Sequence, residues 1–145
     1  MLRMTPDSLI GLRGALLGLH KALVDLERAE YEQAHGAVSA GEMLQLLISG
    51  DQFSWLRPIS ELIVRMDELI GNARERRRPM SSRPSITREQ AIDDTRALLA
   101  ETRRLLVSDE SPAAFRGRYF DLVQKHPTLV VMHQAVMRAF PVDSA

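Results

Sequence analysis

The chain has 145 residues, of which 45% are hydrophobic and 26% are charged, and it contains no cysteine. A chain of this length suits one domain with a core of its own. The absence of cysteine excludes a disulfide framework, a thiolate zinc site, an iron–sulfur cluster and a cysteine nucleophile. The 19 basic residues balance 19 acidic ones, and a formal net charge of zero argues against a general nucleic-acid binder.

The first predicted element is a long helix. Thr5, Pro6 and Asp7 form a typical helix start, because they supply a capping hydroxyl, a proline in the first turn and an acid that the helix dipole favours. Gly36 is placed to end the helix, which gives about 30 residues and a length of about 45 Å. Leucines spaced by three and four residues mark its buried face: Leu9, Leu12, Leu16, Leu19, Leu23 and Leu26.

Two further helices are predicted before residue 71. Ser39 to Glu42 matches the capping-box pattern, and the short helix that follows ends at Gly50. Its predicted buried residues are Met43, Leu44, Leu47 and Ile48. The next helix opens at Trp55 to Pro58 and is closed by Gly71. Its predicted buried stripe is Ile59, Leu62, Ile63, Met66, Leu69 and Ile70.

The second half of the chain begins with a predicted loop over residues 72–86, which is rich in arginine and proline and almost free of apolar residues. A capping box at Thr87 to Gln90 then starts an amphipathic helix, and Ser111 and Pro112 start another. The pair His126-Pro127 breaks that helix, since a residue before proline is pushed out of the helical conformation. A last helix is expected from Thr128 onward.

These patterns predict an all-α fold, because no alternating strand pattern of any length occurs. We expect one domain over residues 1–145, built as a bundle of five to six helices with a long N-terminal helix and the Arg-rich loop within it.

One site hypothesis concerns titratable residues that face the predicted core. His20, Glu27 and Glu30 lie within the leucine arc of the first helix, and His133 lies within the apolar stripe of the last. Together they define a candidate carboxylate–histidine metal site. Paired Glu-x-x-His motifs are typical of such bundles, but only Glu32 and His35 have this spacing here. Histidines at the edge of the core, hydrogen-bonded to carboxylates or carbonyls, fit the sequence better.

Two other segments are candidates for interaction. Phe53, Trp55 and Arg57 lie at a helix junction, and tryptophan and arginine are common at interface hot spots, although a lone tryptophan there is more often a core residue. Residues 71–90 hold six Arg against two Glu, whereas residues 1–70 hold six basic against ten acidic residues. The Arg-rich loop is therefore either a phosphate-binding segment or a solvated linker attracted to the acidic half, and its arginines are Arg74, Arg76, Arg77, Arg78 and Arg83.

The run from Trp55 to Glu68, preceded by Leu19 to Leu23 and by Glu30 to Glu32, resembles small all-helical bacterial proteins of unassigned function over residues 10–70. The resemblance implies a helical fold and a bacterial origin. No signal peptide or membrane span is predicted at the N-terminus, so the expected location is cytoplasmic.

The function predicted from the sequence is a non-enzymatic helical protein-interaction module that self-associates as a homodimer. The first helix is longer than its predicted partners can cover, which leaves apolar surface for a second subunit or another protein. No Gly-x-Ser-x-Gly elbow occurs and no cofactor is expected. The predicted partners include neither membrane nor nucleic acid. The alternative is a metal- or small-ligand-binding bundle that uses His20, Glu27, Glu30 and His133.

Overall fold

A computed structural model describes residues 5–76, 87–107 and 111–141, apart from the side chains of residues 75 and 76. Within these ranges the chain forms two short 3-10 turns and six α-helices, and no strand occurs. The helices are α1 (Ile10–His35), α2 (Ala40–Ser49), α3 (Arg57–Arg76), α4 (Arg88–Val107), α5 (Ala113–Lys125) and α6 (Pro127–Ala139). The 3-10 turn Pro6–Leu9 leads directly into α1, and the 3-10 turn Asp51–Leu56 links α2 to α3. The predicted all-α bundle with a long first helix is confirmed.

Helix α1 lies at the centre of the bundle. Its leucine face is fully buried, as the spacing predicts, at Leu12, Leu16, Leu19 and Leu23. This face packs against α3 and α6, while α4 packs on α3 and α5 packs on α6. The helices thus form one continuous hydrophobic core around α1.

The ends of the helices follow the capping signals in the sequence. The Ser39 hydroxyl accepts a hydrogen bond from the backbone N–H of Glu42 at 3.2 Å, and Thr87 accepts one from the N–H of Gln90 at 3.0 Å. Gly36 ends α1 with a φ of 85°, in the left-handed region that glycine tolerates best. His126 is extended, and Pro127 is the first residue of α6, one residue before the predicted restart.

The prediction that Gly71 ends the third helix is wrong, because α3 continues to Arg76. Gly36 is the only glycine in the described ranges with a positive φ, so Gly71 does not form a left-handed cap. The turn beyond it is held by Ala73, which is buried in the bundle. This burial offsets the cost of about 1 kcal/mol that glycine imposes within a helix.

The buried stripe predicted for α2 is only partly correct. Met43 is buried and Leu47 is partly buried, but Leu44 and Ile48 are exposed. Helix α2 lies at the edge of the bundle and packs chiefly against the 3-10 turn Asp51–Leu56. The sequence showed an apolar helix, and the fold covers only one side of it.

Candidate functional site

An ion cluster around the buried carboxylate of Glu27 joins α1, α5 and the 3-10 turn Asp51–Leu56. The carboxylate of Glu27 is only 1% exposed, and its Oε1 accepts a hydrogen bond from Nε of Arg118 at 2.5 Å. Its Oε2 accepts a hydrogen bond from Nε2 of Gln52 at 3.1 Å. Both oxygens of the buried carboxylate therefore have protein donors, as a buried charge requires.

The same arginine also contacts a second carboxylate on α1. Glu30 lies one turn beyond Glu27 and accepts a hydrogen bond from Nη2 of Arg118. Burial lowers the pKa of Arg118, but the hydrogen bonds and negative charges of Glu27 and Glu30 outweigh this effect and raise it above the ordinary value. The guanidinium is thus fully charged and fastens α5 to α1.

The ion cluster borders an open cleft of about 330 Å³. One wall of the cleft is the ring of Trp55, whose Nε1 is buried and has no hydrogen-bond partner within the described ranges. The charged walls are Glu27, Glu30 and Arg118, which neutralise one another by direct contact. Because these charged groups already bind each other, we interpret the cluster as structural rather than as a binding site for a ligand in the cleft.

A second polar contact links α5 to α6. The hydroxyl of Tyr119, which is fully buried, lies 2.6 Å from Nδ1 of His133. Burial raises the pKa of the Tyr119 phenol and lowers the pKa of His133. Both shifts favour an uncharged pair, so the contact is a hydrogen bond within the core rather than an activated nucleophile.

The four residues of the predicted metal site are divided between different contacts. Glu27 and Glu30 bind Arg118, and His133 binds Tyr119. His20 lies on α1, where burial lowers its pKa. Across residues 5–76, 87–107 and 111–141, no group of three or more His, Asp or Glu side chains is placed to hold a metal ion.

The Glu-x-x-His pair at the end of α1 is also used within the chain. Glu32 accepts a hydrogen bond from the backbone N–H of Val38 at 2.9 Å and pairs with Arg28. The ring of His35 stacks on Tyr31 with their centroids 4.2 Å apart. These contacts stabilise the turn after α1.

The aromatic residues of the predicted interaction segment lie inside the fold. Phe53 is 1% exposed, and Trp55 packs against Phe115 with 9% of its surface exposed. Arg57 is exposed, and its Nη2 donates to the backbone carbonyl of Ile48 at the end of α2, at 2.7 Å. Of this segment only Arg57 is available to a partner.

The structure covers little of the predicted Arg-rich loop. Arg74 is exposed on α3, and Arg76 is the last residue of that helix. Arg77, Arg78 and Arg83 lie outside the described residues. The first part of the predicted loop, from residue 72 to residue 76, is therefore helical.

The outer face of α2 is an apolar surface that sequence reasoning missed. Leu44 is 57% exposed and Ile48 is 60% exposed, one turn apart on a side of α2 that is rotated by about 100–140° from the buried Met43. Gly41 and Gln45 complete this face. The available signal was the width of the apolar arc, since the apolar residues from Met43 to Ile48 span about 200° of the helix, whereas a helix packed on one side needs an apolar stripe of about 100°.

No protein-family model, curated protein or solved structure matches the chain. Within the described ranges, no helix combines the length and apolar character needed to cross a bilayer. The cytoplasmic location and bacterial origin stay predictions.

Proposed function

We propose that the protein is a non-enzymatic interaction module that self-associates through the outer face of α2. The observation that carries the proposal is the exposure of Leu44 and Ile48 on a helix whose other side is already packed on the bundle. Exposed apolar residues grouped on one helix face are typical of protein–protein contacts. The buried polar contacts support a structural rather than catalytic interior, since Glu27, Arg118 and His133 all bind other side chains.

The proposed interface on α2 is not the one predicted from the sequence, which expected exposed apolar surface at the ends of the first helix. The last turn of α1 carries Gln33, Ala34 and His35, which are exposed and mostly polar. Ile10 at the start of α1 is 44% exposed, which is less than either apolar residue of the α2 face. These exposures support a proposed contact on α2 rather than at the ends of α1.

The size of this face sets the expected affinity. A helix of ten residues is about 15 Å long, and its outer side buries far less than the roughly 1,200–2,000 Å² of a standard stable interface. Burying the exposed parts of Leu44 and Ile48 contributes about 1 kcal/mol each. We therefore expect a weak dimer with a Kd in the micromolar to millimolar range.

Sedimentation velocity over a concentration series tests the proposal. The wild-type chain should shift from monomer to dimer as its concentration rises, and the double variant L44S/I48S should remain monomeric. Because both side chains are exposed, the fold should be unaffected. The matched control is V131S on α6, which removes an apolar side chain that is 62% exposed and should leave association unchanged. A wild-type chain that stays monomeric at high concentration, or a double variant that still dimerises, contradicts the proposal.

A further inference from the structure

We infer that the second copy pairs with α2 in an antiparallel, two-fold arrangement that is selected by contacts between Glu42 and Arg57. This inference rests on the proposed function, because it assumes that the outer face of α2 is the contact. It adds the orientation of the two copies and the charged groups that fix it.

The charges at the two ends of α2 have opposite signs. Glu42 lies in the first turn and is exposed, with its side chain next to the Ser39 hydroxyl at 3.2 Å. At the other end, the guanidinium of Arg57 is fixed by its hydrogen bond to the carbonyl of Ile48. An arginine has five N–H donors, so this bond leaves others for a carboxylate.

These positions match when two copies of α2 run antiparallel. Ile48 follows Glu42 by six positions, which is about 9 Å along the helix. A two-fold axis that passes at the level of Gln45 places Glu42 level with the partner's Ile48, and hence with the partner's Arg57. The same axis repeats the contact at the other end, as an isologous interface requires. A parallel pair would instead place like charges side by side.

The small residue at the start of the face is compatible with the same arrangement. With the axis at the level of Gln45, Gly41 lies level with the partner's Ser49, one position from its Ile48. Gly41 has no side chain, so the two helices can approach closely at both ends of the face.

Charge reversal separates this arrangement from every parallel one. In E42R both ends of the face are positive, and in R57E both ends are negative. Two copies of the same variant therefore repel each other at both ends. A typical exposed ion pair changes an equilibrium constant by about twofold. Each reversal removes two attractive contacts and adds two repulsive ones, so self-association should weaken by about 15-fold.

The weakening of each single variant relative to the wild type is the decisive measurement, because a parallel pair places like charges together in all three chains and would leave their self-association similar. An equimolar mixture of E42R and R57E then tests whether the two charged positions meet across the interface. Each of its two contacts then joins an arginine to a glutamate, so sedimentation velocity should show a dimer at concentrations where neither variant alone forms one. The double variant E42R/R57E restores both pairs within one chain and should self-associate like the wild type.

Two controls separate electrostatics from damage to the fold. Circular dichroism should show unchanged helix content, and E68R, which reverses an exposed charge on α3, should dimerise normally. In 1 M salt the Debye length falls to about 3 Å, so the defect of each single variant should shrink.

The possible outcomes distinguish the two proposals. The antiparallel arrangement is wrong if the mixture of E42R and R57E stays monomeric, or if either variant alone self-associates as strongly as the wild type. In that case L44S/I48S still tests whether the outer face of α2 is the contact. If the wild-type chain does not associate, both proposals are wrong.

Discussion

Replacing Arg118 by methionine should destabilise the fold through the carboxylate that it leaves behind. Glu27 is 1% exposed and would keep Gln52 as its remaining donor. Removing one partner of a buried ion pair typically costs 3–5 kcal/mol. Arg118 is 28% exposed, and solvent would reach part of the vacated space, so we expect the lower end, about 3 kcal/mol. The methionine side chain preserves most of the packing of the arginine stem.

A double-mutant cycle separates the ion pair from the loss of packing. Removing both charges in E27M/R118M leaves no buried charge without a partner, so the double variant should lose less stability than the two single variants added together. We expect a coupling energy of about 2 kcal/mol. Urea denaturation followed by circular dichroism measures each free energy of unfolding.

A surface ion pair provides the matched control for this cycle. Arg65 pairs with Glu101, and both side chains are more than 40% exposed. R65M should therefore cost at most about 1 kcal/mol. If R118M costs no more than R65M, or if the double variant loses the full sum of its two single variants, the buried pair does not hold α5 to α1 as argued.

Two further predictions concern the histidines and the α5–α6 contact. Burial lowers the folded pKa of His20 and His133 below the unfolded value of 6.5, so the unfolded state binds more protons and stability should fall as the pH drops below about 6.5. Urea titrations between pH 7.5 and pH 5 test this, and H133Q should flatten the pH dependence of the free energy of unfolding. An equal slope in H133Q and the wild type would mean that His133 does not contribute to this dependence. Y119F removes the hydroxyl that contacts His133 and should cost about 1 kcal/mol. The control Y31F alters a half-buried tyrosine that stacks on His35, and it should change the free energy of unfolding by less than about 0.5 kcal/mol because the ring is retained; equal losses in both variants would contradict this role of the Tyr119 hydroxyl.

The helix boundaries were predictable because they depend on neighbours in the sequence. Ser39, Thr87 and Gly36 stabilise helix ends through contacts within four residues, and the extended conformation before Pro127 is equally local. Gly71 was misread for a tertiary reason, since burial of Ala73 extends α3. A local signal thus fails where packing beyond it contributes more free energy.

The candidate site was less predictable because its partners are distant in the chain. The core-facing position of Glu27 followed from helical spacing, but Arg118 lies 91 residues away and nothing local links the two. Similarly, the spacing of Leu44 and Ile48 indicates a shared face without showing which helix covers that face. Periodicity gives the orientation of a side chain within its helix, and only the packing of the helices decides what that side chain meets.

The position of the single tryptophan gives the protein an intrinsic fluorescent probe. Trp55 lies in the 3-10 turn between α2 and α3, and its ring is 5.8 Å from that of Phe115 on α5. Only 9% of its surface is exposed, so its emission should be blue-shifted while the turn remains packed on α5. Any opening of this corner would shift the emission to the red, and because no other tryptophan is present, the spectrum reports on this one junction.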